Sequence, residues 1–129
     1  MTKAKKFEKA WRLWFKGDFS LVDEIYHPDY KSFDYRTGIE ANIEDEKVIA
    51  STLGESVIFR PHRTLFENEN FLCIERFSKR FTNTTEPDYG VAIVAVNYEE
   101  EKIIWHKTAT HSTDFDPSEY LDWNWEDYE

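Results

Sequence analysis

Three groups of side chains in this sequence could move a proton or hold an anion. Asp34 stands near the end of a strand-like segment, just before a Thr37-Gly38 break. A carboxylate in an apolar pocket has a raised pKa and can act as a proton shuttle. At a strand end it can equally pair with Arg36 or cap the next turn. His106 and His111 share one strand-like segment. Their odd spacing puts them on opposite faces, so they form no ready metal pair; each is either an acid-base group or a hydrogen-bonded structural one. His62-Arg63 and Glu75-Arg76 lie on neighbouring strand candidates. A buried Arg76 could pair with Asp34 or Glu75, or hold a ligand carboxylate through two parallel hydrogen bonds. Asp34, His106 and His111 are therefore the candidate catalytic residues. Trp14, Tyr26, Phe59, His62, Arg76, Tyr89 and Trp105 are candidate ligand contacts, since such aromatic side chains can line a pocket or fill a small core. The sequence has no Gly-rich phosphate loop, CxxC, HExxH or nucleophile elbow, so neither a cofactor nor a metal is expected. Cys73 reads as a small core residue.

The elements that must position these groups follow from hydrophobic spacing. Phe7, Trp11, Trp14 and Phe15 form one stripe, which predicts a helix over Lys3–Lys16 ended by Gly17. Asp18 or Ser20 can cap a second helix carrying Leu21, Val22, Ile25 and Tyr26, which Pro28 stops. Tyr30 to Tyr35 reads as a short strand. Ile39, Ile43, Ala50 and Leu53 have helical spacing; that helix starts at Ile39, or near Asp45 with 37–44 as a loop, and Gly54 ends it. Val57–Glu67 and Phe71–Phe81 flank a hairpin turn at Asn68-Glu69-Asn70, with Pro61 marking an edge or bulge. Residues 83–88 form a loop. Tyr89–Tyr98, apolar on both faces, reads as a central strand, and Glu99-Glu100-Glu101 turns it into Lys102–Ser112. On that last strand His106 would share a face with Ile104, Thr108 and Thr110, and His111 with Ile103, Trp105, Lys107 and Ala109. Asp116-Pro117-Ser118-Glu119 then predicts a short helix or turn over Pro117–Leu121.

The order is helix, helix, short strand, helix and an antiparallel sheet. With the Gly17-Asp18 break, the Tyr26-x-Pro28-Asp29-Tyr30 exit, the Thr37-Gly38-Ile39-Glu40 entry and the Lys102-Ile103-Ile104 start of the last strand, it resembles the nuclear-transport-factor-2-like superfamily and its SnoaL-like branch. The resemblance covers Phe7 to Asp116 and includes no catalytic motif. It implies an α+β cone, three helices of the N-terminal half held in a curved mixed or antiparallel sheet, with an interior that binds a small apolar molecule. It also implies a homodimer through the convex sheet face. Isomerase-like relatives carry a carboxylate base near the position of Asp34. SnoaL-like cyclases put an acid near the end of the last strand, where this chain has His111. An Asp-Arg-Asp set like that of the epoxide hydrolases would need a second inward aspartate, and the strands offer no obvious one. Fold alone does not decide among these activities.

Composition narrows the partners. The chain of 129 residues is 40% hydrophobic and 17% aromatic, which fits one folded domain over residues 1–116 with a tail at 117–129. The net charge is −10, with +5 in residues 1–17 and −7 in residues 113–129. An acidic surface disfavours nucleic acid. The basic first helix could face solvent, or could meet the acidic tail within a chain or across a dimer. Trp123 and Trp125 in that tail are expected to pack on the domain or on a partner subunit. No apolar run is long enough for a membrane span or a signal core, which predicts a cytoplasmic protein.

Overall fold

A computed structural model describes residues 1–53, 56–59, 61–82 and 86–128, with side chains up to residue 126. Gly54 and part of the expected 83–88 loop lie outside the described residues. Helix α1 (Lys3–Trp14) starts where Thr2 accepts a hydrogen bond from the Lys5 amide. It ends at Gly17, whose φ of 85° suits glycine and turns the chain. Helix α2 (Ser20–Ile25) follows, with the Asp18 carboxylate accepting from the Ser20 amide.

Strand β1 (Tyr26–Asp34) begins four residues earlier than the alternation predicts. Pro28 therefore lies inside a strand, within the stretch where pairing with the last strand is interrupted between Tyr26 and Lys31. Strand β2 (Ile39–Ala41) takes the start of the segment read as helix, and α3 (Ile43–Leu53) begins after it. The reason is a reciprocal cap. Asn42 accepts from the Asp45 amide and Asp45 from the Asn42 amide, at 2.9 and 3.1 Å.

Pro61 splits the expected Val57–Glu67 strand into β3 (Val57–Ile58) and β4 (His62–Glu67). Both pair with β5 (Phe71–Arg80), which continues through β6 (Asp88–Glu99) to β7 (Lys102–Thr113). The β6–β7 turn is built on Glu100 and Glu101, both in the left-handed region without a glycine. The sheet runs β2-β1-β7-β6-β5-β3, with β4 also on β5; β1 and β7 are parallel and every other pair is antiparallel.

The sheet curves around α1. Phe7, Ala10 and Trp14 of that helix pack with Val22, Ile25, Tyr30, Leu72, Ile74, Val94, Val96 and Ile103 into one core. A register shift at Asn97–Tyr98 alters the face pattern near the start of β7. Ile103 is consequently buried in the core, while His106, Thr108 and Thr110 share the inner face. Helix α4 (Pro117–Leu121) is capped by Asp116 as expected. The tail then ends in a 3-10 turn, Trp125–Tyr128. Its rings cover the outer sheet face: Trp123 lies 5.6 Å from Phe77, and Trp125 stacks on Tyr89. Helix α1 lies on the other side of the sheet, and the ion pair it forms is Lys6–Glu24. Among the described residues no ion pair joins the basic helix to the acidic tail.

Candidate functional site

The inner face of the sheet is graded in size, and the grading leaves a hollow. At one end Leu72, Val96 and His106 stand side by side across β5, β6 and β7. The next rows are Ile74-Val94-Thr108 and Arg76-Ala92-Thr110, and the last is Ser78-Gly90-Ser112. The large apolar groups meet α1 and close the core. The small ones meet nothing of comparable size, and a cavity of about 450 Å³ remains between them, α3 and the Trp11 end of α1. Gly90 lets its neighbours approach closely, since a Cβ there would come within 2.9 Å of Ser78 Oγ and 3.3 Å of the His111 carbonyl oxygen.

Buried polar groups gather at the deep end. His106 is 3% exposed and ringed by Phe7, Trp11, Tyr26 and Tyr30, with centroids 5.0 to 6.3 Å away. Trp11 Nε1 donates to the Tyr26 oxygen at 3.1 Å, and that hydroxyl meets His106 Nε2 at 3.0 Å. The indole can only donate, so Tyr26 is the shared partner that links Trp11 to the imidazole. Burial, reinforced by the positive charge of Arg76, pushes the His106 pKa down to about 3. The ring is neutral at physiological pH. Burial likewise raises the Tyr26 and Tyr30 hydroxyls well above the ordinary tyrosine value.

Glu46, on the first turns of α3, is not among the candidates the sequence suggests. It lines the cavity, and Tyr30 donates to its Oε1 at 2.9 Å. Its Oε2 is buried without a hydrogen-bond partner. Burial raises the Glu46 pKa, although the hydroxyls of Ser32 and Tyr30 and the charge of Arg76 oppose the shift. The signal for it was present, because Ile43, Glu46, Ala50 and Leu53 form one helical stripe in which Glu46 is the polar member.

Arg76 enters from β5. Its Cζ lies 5.4 Å from the Trp11 ring and 4.9 Å from the Phe59 ring, and its Nε is buried without a partner. None of the ion pairs among the described residues includes it, so neither Asp34 nor Glu75 pairs with it. Asp34 lines the cavity further along, two residues beyond the Ser32 that pairs with His106. Its Oδ1 accepts the Arg36 amide at 2.8 Å, so the aspartate caps its own turn while facing the hollow.

The other candidates separate. Phe59 lines the cavity beside Arg76. Tyr26 lies beneath it, reaching it through His106. Trp14 is buried in the core against Trp11 and Phe19 rather than at the cavity wall. His62 shares the inner face but packs on Phe7, outside the lining. Tyr89 borders the wide end, with its ring taken by Trp125. Trp105 stands on the outer face, 36% exposed, because its neighbour His106 takes the inner one. His111 lines the cavity at its wide end, where it is exposed and its Nδ1 turns to the Ser112 carbonyl. Asp88, expected in a loop, is the first residue of β6 and lines the cavity mouth.

A curved mixed sheet, mostly antiparallel and wrapped on three helices, closed at one end and hollow at the other, decides the architecture. The fold is the nuclear-transport-factor-2-like cone. A protein of that type from Cytophaga hutchinsonii, of unknown function, is 12% identical with a TM-score of 0.64 over 84% of this chain and 98% of its own. IdmH, a candidate polyketide cyclase from Streptomyces antibioticus, is 10% identical with a TM-score of 0.63 over 82% of this chain and 89% of its own. A protein of ketosteroid isomerase-like fold from Catenulispora acidiphila, solved with trimethylamine, is 11% identical with a TM-score of 0.60 over 84% and 85%. No protein-family model and no curated protein matches the chain. No helix among the described residues is long and apolar enough to cross a membrane.

Proposed function

We propose that the cone is a binding site for a small, largely apolar molecule, and that its acidic side chains can move a proton on that molecule without a cofactor. One observation carries this reading: the hollow is open, and polar groups face into it that the protein leaves without partners. The aromatic side chains that could have plugged it pack below it instead, around Trp14, Tyr26 and Phe7. Solved proteins of the same fold include one described as a candidate cyclase and one that holds a small amine, which agrees with a pocket role.

The proton would move through carboxyl groups. His106 is neutral and engaged with Tyr26, so it acts as a positioning residue for the aromatic floor. Glu46, buried and with one free oxygen, and Asp34, roughly 7 Å from the His106 level along the strand, are the groups able to take and return a proton. An isomerisation, dehydration or cyclisation fits such a pair. The neutral ketone 2-tetralone provides a test, because its acidic α-protons exchange in D2O at a rate NMR can follow. The protein should accelerate that exchange above buffer, and Glu46→Gln or Asp34→Asn should lower it at least tenfold. Acceleration unchanged in both variants would remove the carboxyl groups from the scheme.

A second reading concerns the outer face, where Ile93 and Trp105 are 38% and 36% exposed on adjacent strands. Such a patch favours association of two copies through the sheet. Light scattering should give a dimer mass for the wild type and a monomer mass for Trp105→Lys. A monomeric wild type would end this reading.

A further inference from the structure

We infer that the molecule held in the cone carries a carboxylate, and that Arg76 is the residue that receives it; this rests on the cone being a binding pocket. Arg76 is a cation on the inner face, its Nε buried and unpartnered, with no ion pair to any described residue. Glu46 and Asp34 act on this cation through their charge, but neither forms an ion pair with it, and a buried charge left without a direct partner is costly. Here the faces of Trp11 and Phe59 hold the guanidinium at 5.4 and 4.9 Å. Rings contact a cation through their π-faces and offer no acceptor in the guanidinium plane. The N–H edge thus remains for a planar anion, which a carboxylate matches with two parallel hydrogen bonds.

The surroundings argue for a single negative charge rather than a phosphate. Glu46 and Asp34 line the same cavity, and their negative potential opposes a dianion. Glu46 does not itself satisfy Arg76, for its Oε1 is taken by Tyr30 and its Oε2 makes no bond. It instead competes electrostatically for the same cation. The apolar stretch of the wall, Phe15, Ile49, Leu53 and Val57, leaves the rest of the ligand hydrophobic. The substrate class is an aromatic or alicyclic carboxylic acid.

Calorimetric titration with 2-naphthoate and its neutral isostere 2-naphthamide at pH 7 tests this. The wild type should bind the carboxylate at least tenfold more tightly. Arg76→Met should lose that preference while still binding the amide. Glu46→Gln, which removes the competing charge, should tighten the carboxylate several-fold, and a weakened carboxylate in this variant would count against the inference. Equal affinities in the wild type, or a preference that survives Arg76→Met, would overturn the inference and leave the pocket reading intact. Failure of both probes to bind would overturn both.

Discussion

His106 folds as a neutral ring and takes up its proton when the chain unfolds. Its pKa is about 3 in the folded protein against an ordinary value of 6.5. Between those limits the unfolded chain binds the extra proton, so this residue makes stability fall as the pH drops from 6.5 towards 3. The slope from one group is at most about 1.4 kcal/mol per pH unit. His106→Gln keeps a polar side chain on Tyr26 and cannot ionise. Urea unfolding at pH 4 to 7 should show a shallower acid decline for the variant. Parallel curves would mean that His106 is hydrated in the folded state. The residue types were legible in the sequence, as was the placing of His106 and His111 on opposite faces. What was not legible was which face is inner. Nor was the burial of Ile103 on the His106 side, which follows from the register shift at Asn97–Tyr98 that a bulge-free alternation cannot reveal. Glu46 lies on a legible helical stripe, but its acidic neighbours Glu44 and Asp45 also suit a helix start and mask it, and its bond to Tyr30 depends on tertiary packing.

The tail shows how a short element can complete a sheet. Trp125 is 5% exposed, stacks on Tyr89, and donates its Nε1 to Asp116 Oδ1 at 2.9 Å. Burial pushes the Asp116 pKa up, but hydrogen bonds from Trp125, Ser118 and Tyr89 reverse this and leave it below its ordinary value. The ionised form is the one these bonds favour, so their contribution is present at neutral pH and disappears as the pH falls through that lowered value. Trp125→Ala should cost about 3 kcal/mol by denaturant unfolding at pH 7, since it empties a packed aromatic site. A change below about 0.5 kcal/mol would show that the tail does not dock in solution. Helix α4 was predictable because capping is local: Asp116, Pro117 and Glu119 carry their signal within four residues. The starts of β1 and α3 were less so. Pro28 usually ends elements, yet here it sits where β1 has no regular ladder to lose, and β2 exists only because β1 lies beside it.

At the scale of the molecule, the proposed function rests on a mismatch between two gradients. Side chains along the inner sheet face shrink from Leu72 and Val96 to Ser78, Gly90 and Ser112, while α1 reaches only as far as Trp11 and Phe15 along the wall. The fold could be read from the order of elements, because most of them announce themselves through spacing and caps even where their bounds shift. The hollow could not, because it depends on which small residues of β5, β6 and β7 become neighbours. The central claim is that this hollow takes a small apolar molecule, and chemical-shift mapping of the 15N-labelled protein during titration with 2-tetralone tests it most directly. Saturable shifts should centre on Trp11, Ser32, Arg76 and Thr108, and should vanish in Thr108→Trp, whose indole fills the cavity. Shifts gathered instead around Ile93 and Trp105 on the outer face, or no saturable shift at all, would contradict the account.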